Sequence, residues 1–137
     1  MWVIYALLSA LFAGLTAVLG KVGVKGIDSD LATAIRTAVV LMLTWGIVFF
    51  KKAPVTLMQL TKQNILFLVL SGLATGGSWI FYYKALQLGK VSQVAPVDKL
   101  SVVFAILLSM LFLGESLSAK EMAGAALIVA GALVIIW

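Results

Sequence analysis

Three charged side chains fall inside long apolar runs of this sequence: Arg36, Asp98 and Lys99. A guanidinium cannot readily lose its proton, so Arg36 must find an acceptor or water. Asp98, Asp28, Asp30, a lipid phosphate and a ligand carboxylate are all candidates. Asp98 suits a proton, a small cation or an amine, whereas Lys99 suits a carboxylate or a phosphate. Adjacent helical residues point about 100° apart, so these two cannot both face one narrow cavity squarely. Ser101 follows Asp98 by three and shares its face. The plainer reading of Asp98 and Lys99 is an interfacial pair at a helix start, with the lysine snorkelling to the surface.

A second group is aromatic and hydroxylic. Ser71, Thr75, Ser78 and Tyr82 step by four, three and four, which places them on one helical face. Trp79 and Tyr83 form a neighbouring line that Gln87 continues. Such a wall suits a small-molecule pocket, mostly apolar with a few polar anchors. Its plainer reading is an interfacial aromatic belt with small-residue packing at Gly76-Gly77, although Trp79 lies in the middle of its run. Arg36, Thr75, Trp79, Tyr82, Tyr83, Asp98, Lys99 and Ser101 are therefore the candidate ligand-binding set.

This is binding chemistry rather than bond-making chemistry. The chain has no histidine, no cysteine and only five acids, which removes the usual general base, thiolate nucleophile and zinc ligands. Neither an enzyme nor a metal site is expected, and no cofactor is implied.

The elements that must position these groups follow from composition. Of 137 residues, 64% are hydrophobic and 11% charged, and the mean hydropathy is +1.19. A water-soluble domain carries about 25% charged residues; here too few polar groups remain to cover a surface, so the lipid bilayer is the solvent. The net charge of +5 sits on lysines scattered between apolar runs, which favours topology and lipid headgroups over nucleic acid.

Five runs reach the roughly 20 residues that a spanning helix needs: about Trp2–Gly20, Leu31–Phe50, Asn64–Ala85, Gln93–Leu113 and Lys120–Trp137. The first lacks a basic stretch before it and leads straight into further apolar segments, so a retained helix is expected rather than a signal peptide. Asp28-Ser29-Asp30 offers an N-cap for the second run, and Lys51-Lys52-Ala53-Pro54 closes it. Pro96 is placed in the first turn of the fourth. Ser118 with Glu121 reads as a capping box for the fifth. Lys84 ends the third run, either neutralising that helix C-terminus or drawing anions inward. The small residues of the last run, Gly124 and Gly131 among them, suit helix packing or a dimer contact. The fold class is all-α, a single multi-pass membrane domain over residues 1–137.

Short connections alternate the helix directions, so one membrane face holds Lys51, Lys52, Lys62 and Lys120 and the other Lys21, Lys25, Lys84 and Lys90. Orientation follows Lys/Arg bias, and an even split leaves both orientations open. Two oppositely inserted copies would pair about an axis in the membrane plane, the inverted-repeat arrangement of many transporters.

The segment from Phe81 to Trp137 resembles the C-terminal part of an EamA domain of the drug/metabolite transporter superfamily. The resemblance lies in Lys84-Ala85-Leu86 after an aromatic stretch, Ala95-Pro96, Leu113-Gly114-Glu115, and the glycines Gly124 and Gly131; Lys21 and Arg36 extend it to the N-terminal part. Typical members are similar to two such five-helix units in tandem, so this chain looks like a single repeat of that inverted-repeat fold. The resemblance implies a secondary transporter in the cell (inner) membrane that moves small metabolites by alternating access. The excess of intramembrane positive charge points to anionic or zwitterionic substrates, such as amino or organic acids. Asp98 is then the candidate coupling group, and an antiparallel homodimer the expected assembly, with lipid and a small-molecule substrate as its other partners. Two alternatives are a cation or drug exporter like the small multidrug resistance proteins and a non-transporting membrane subunit or scaffold. The first is disfavoured because the first run holds no acid.

Overall fold

The computed structural model describes residues 1–51 and 60–137, and within them the secondary structure is helical. Among the described residues, five helices are long and apolar enough to cross a membrane: α1 (Trp2–Gly23), α2 (Ser29–Phe50), α3 (Lys62–Leu88), α4 (Val91–Leu113) and α5 (Ala119–Ile136). The chain is an all-α membrane protein, as expected. Lys52, Ala53 and Pro54, assigned to the close of the second run, lie outside the described residues. Helices are the natural answer to lipid because each backbone N–H finds its carbonyl within the same segment. Large apolar side chains such as Phe12, Phe67 and Leu127 are mostly exposed, and the acyl chains of the bilayer are what covers them.

The helix ends show why the chain turns where it does. α1 runs past Gly20 to Gly23, one turn further than expected. Gly26 then adopts a φ of 79°, a left-handed conformation that strains any residue with a Cβ. Asp28 caps α2, its carboxylate accepting from the N–H groups of Asp30 at 2.9 Å and Leu31 at 3.1 Å. Thr61 caps α3 by accepting from Asn64 N–H at 3.1 Å. In front of α5 the capping box forms as expected: Glu121 N–H donates to Ser118 Oγ at 3.3 Å, and Ser118 N–H donates to Glu121 Oε2 at 2.8 Å. α3, with 27 residues, is about 40 Å long at 1.5 Å per residue. That exceeds the roughly 30 Å hydrocarbon core, so its ends reach the headgroup region.

Two compact units are present, one of Met1–Leu19 with Leu88–Trp137 and one of Gly20–Gln87. In the second, Val24, Ala32 and Tyr83 are buried together with Tyr82 packed against them, and Leu86 is wholly enclosed. In the first, α5 packs back on α4, with Ala132 as its buried residue. Gly124 and Gly131 have open space where a Cβ would stand, so the close packing within this unit is carried by an alanine.

α4 corrects one expectation. Its first segment begins at Val91 with Lys90 as N-cap, which puts Pro96 inside the helix rather than in its first turn. A proline there has no N–H for the Ser92 carbonyl and its ring crowds that carbonyl. Downstream the backbone tightens to i→i−3 bonds: Lys99 N–H to Pro96 O at 3.1 Å, Leu100 N–H to Val97 O at 3.0 Å, and Val102 N–H to Lys99 O at 3.0 Å. The helix resumes over Ser101–Leu108 and ends in a π-helical turn, Ser109–Leu113. Gly114, with φ 67°, stops it. The π turn is closed by Gly114 N–H donating to Ser109 O, and Glu115 N–H donates to the same carbonyl at 3.4 Å. The backbone N–H is thus what places Glu115 at this helix end.

Replacing Pro96 with Ala restores a donor for Ser92 O. The variant is expected to gain up to about 3 kcal/mol of stability, seen as a higher unfolding temperature in detergent. Amide exchange from Val97 to Val103 should slow in parallel.

Candidate functional site

The second unit is organised by a close approach of α1 and α3. A Cβ placed on Gly20 would lie 3.1 Å from Tyr83 Oη and 3.3 Å from Tyr83 Cζ. Only glycine leaves the ring this much room, and Tyr83 is 5% exposed as a result. Just beyond, the two helix ends hold one another. Lys21 Nζ donates to the carbonyls of Leu86 and, at 3.4 Å, Gln87. The Gln87 amide donates back to Val24 O at 3.2 Å and Ile27 O at 2.6 Å. A lysine supplies the positive charge that a helix C-terminus favours, and both N–H groups of one amide satisfy the carbonyls of the connecting turn.

Lys84, for which neutralising this C-terminus was one of two expected roles, does not take it. α3 continues a further turn to Leu88, no basic residue stands in its last turn, and Lys21 reaches the terminal carbonyls from α1. The clasp borders an open basin of about 640 Å³ lined by Lys21, Val22, Val24, Lys25, Gly26 and Gln87.

One turn deeper lies Arg36 of α2. Its guanidinium carbon sits 3.9 Å above the Trp79 ring centroid and 5.3 Å from that of Tyr83. Asp28, one of its candidate acceptors, spends its carboxylate on capping its own helix. Nη1 of Arg36 is closed off from solvent and has no hydrogen-bond partner among the described residues. A desolvated cation–π contact contributes about 2 kcal/mol. An unsatisfied buried donor costs about 1–3 kcal/mol, more when charged. The two magnitudes are comparable, so the aromatic faces offset much of the cost of the missing acceptor, and Nη1 retains its N–H donors.

The sequence-derived candidates divide between the units. Arg36, Trp79 and Tyr83 come together in one, with Tyr82 edge-on to Tyr83 at 6.4 Å. Thr75 returns its hydroxyl to Ser71 O at 2.8 Å on an exposed face, so it makes no contact with that cluster through its hydroxyl donor. The line of Trp79, Tyr83 and Gln87 makes the contacts of α3 with Arg36, Gly20 and the turn after α1; the line through Ser71, Thr75 and Ser78 is exposed. In the other unit Asp98 Oδ2 lies 3.5 Å from Lys99 Nζ, beside the break in α4, and exposed Ser101 opens the next segment. Lys99 is eight residues into the helix, about 12 Å from its start, deeper than the sequence reading placed it.

Gly20 escaped the sequence reading. The signal for it was present, since a glycine one turn before a helix end on the same membrane face as the end of an aromatic helix permits close approach.

Gly20→Val is expected to lower stability by about 1–3 kcal/mol through overpacking against Tyr83. Gly14→Val, where space is open, should have little effect; thermal unfolding of both in detergent makes the comparison. A double-mutant cycle of Arg36→Met and Trp79→Leu should give a coupling energy of about 1–2 kcal/mol.

Comparison with known proteins bears on this arrangement. The profile of the EamA-like transporter family matches residues 1–137. A curated protein of Sinorhizobium sp. described as an "Uncharacterized transporter in cobO 3'region" is 49% identical over 134 residues, covering 98% of this chain and 95% of the relative. No solved structure gives a significant match.

Proposed function

The chain belongs to the EamA-like transporter family, and from that premise we propose that it carries small anionic or zwitterionic metabolites, with Arg36 as the carboxylate anchor. It is a transporter rather than an enzyme by family and by the description of its relative. The observation that carries the substrate reading is the Arg36 guanidinium itself. It is held over Trp79 at 3.9 Å, its Nη1 is enclosed, and that nitrogen has no acceptor among the described residues. A carboxylate is the planar, two-oxygen partner that a guanidinium fork accepts best. The adjoining rings of Trp79 and Tyr83 give an apolar wall for the rest of the molecule.

The same geometry disfavours the cation-exporter alternative. The aromatic faces that would attract an organic cation are already covered by a guanidinium. Alternating access needs two half-structures related by inversion. One five-helix chain supplies one half, and the even division of lysines between the two membrane faces lets a second, oppositely inserted copy supply the other. An antiparallel homodimer in the inner membrane is the assembly this reading requires.

In liposomes holding the purified protein, counterflow of labelled amino and organic acids should exceed that of lipophilic cations. Arg36→Gln should reduce kcat/KM for carboxylate substrates by about tenfold or more, the equivalent of at least 1.4 kcal/mol. Retained carboxylate transport in that variant would remove Arg36 from the site. Reporters fused to both termini should give signals on both sides of the membrane; a single strict orientation would exclude the antiparallel homodimer.

A further inference from the structure

A groove of about 530 Å³ lies between α4 and α5, away from the Arg36 cluster in sequence and contained within the first unit. Pro96, Lys99 and Val102 on one side and Leu127, Gly131 and Ile135 on the other are among its walls. Apart from Lys99 every residue lining it is apolar or glycine, and these residues belong to two membrane spans. The medium at its mouth is therefore lipid. Lys99 brings its ammonium into this apolar setting, and the Asp98 carboxylate, which is not among the lining residues, lies 3.5 Å from that ammonium.

We propose that the groove binds a membrane phospholipid with a zwitterionic ethanolamine head. Its phosphate meets Lys99, its ammonium meets Asp98, and an acyl chain lies along the groove towards Val102 and Leu127. Charge complementarity selects a zwitterionic head, and the N–H donors of a primary ammonium, which choline lacks, select ethanolamine for Asp98. Asp98 and Lys99 together carry no net charge, so a purely anionic head would gain the lysine and be repelled by the aspartate. A zwitterion satisfies both. Asp98 occupies at most one or two of the three donors on the lysine ammonium, which leaves capacity for a phosphate oxygen. The side chains of Lys99 and Asp98 are 55% and 35% exposed, so both ions can be reached.

Depth is compatible with a headgroup. Ile135 lies in the last turn of α5, so this end of the groove is near the end of a membrane span. Lys99, about 12 Å along α4, extends its ammonium part of the way towards that end. The break at Pro96 turns the backbone next to this pair, and Gly131 keeps the opposite wall low, because a Cβ there would meet nothing within 4 Å and project into the groove.

Native mass spectrometry and thermal unfolding of the purified protein, with phosphatidylethanolamine, phosphatidylglycerol or phosphatidylcholine added back, test this. Phosphatidylethanolamine should bind about tenfold more tightly than phosphatidylglycerol and raise the unfolding temperature most. Lys99→Gln and Asp98→Asn should each abolish the preference. Gly131→Leu, which fills the groove and leaves both charges, should reduce retention of all three lipids, so the result does not hinge on one variant folding. Equal binding of phosphatidylglycerol would overturn the proposal. So would cross-linking of two copies through Gly131→Cys, which would assign the groove to a second chain. Unchanged lipid binding in Asp98→Asn, with loss of the pH dependence of transport, would assign the carboxylate to coupling instead.

Discussion

The close contact between Gly20 and Tyr83 is the constraint on which the second unit depends. It lets α3 approach α1 until Tyr83 is buried and Leu86 is wholly enclosed. From that approach the reciprocal clasp follows: Lys21 can reach the last carbonyls of α3, and Gln87 can reach those of the turn after α1. The buried tyrosine and the tryptophan one helical turn before it then present a surface for Arg36. Spacing along α3 is what relays the contact inward, since Trp79, Tyr83 and Gln87 repeat every four residues. A larger residue at position 20 would disturb the clasp, the ring and the guanidinium together.

Membrane burial explains why the polar groups look as they do. Within a bilayer an unpaired polar group has no water to fall back on. The hydroxyls of Thr33, Thr37, Thr44 and Thr75 donate to carbonyls one turn back on their own helices, and Asp28 and Ser118 serve helix starts. Against this background the Nη1 of Arg36 stands out. Aromatic faces satisfy the charge of a guanidinium without using its N–H groups, so the cation is tolerated although Nη1 has no acceptor among the described residues.

α4 is built differently from the other spans. A proline inside its first segment, a run of tightened bonds and a terminal π turn interrupt a helix that its apolar run alone would have made regular. Such interruptions are concentrated where function requires a helix to bend or a side chain to be re-aimed. Here they bracket the Asp98–Lys99 pair on one side and the Leu113-Gly114-Glu115 turn on the other.

Much of the fold was legible in the sequence. Apolar runs of spanning length set the five helices, because lipid tolerates no unpaired backbone. Asp28, Ser118 and Glu121 marked their helix starts, because caps are local. Spacing placed Trp79, Tyr83 and Gln87 on one line, and burial cost singled out Arg36. What lay beyond the sequence was non-local or depended on small shifts in helix ends. Extending α3 to Leu88 transferred the capping role from Lys84 to Lys21, and starting α4 at Val91 moved Pro96 from a harmless position to a helix-breaking one. The pairing of Arg36 with aromatic rings rather than an acid was likewise decided by tertiary structure. Composition determines that a buried cation needs a partner; only the packing of helices in three dimensions determines which groups come within 4 Å of it.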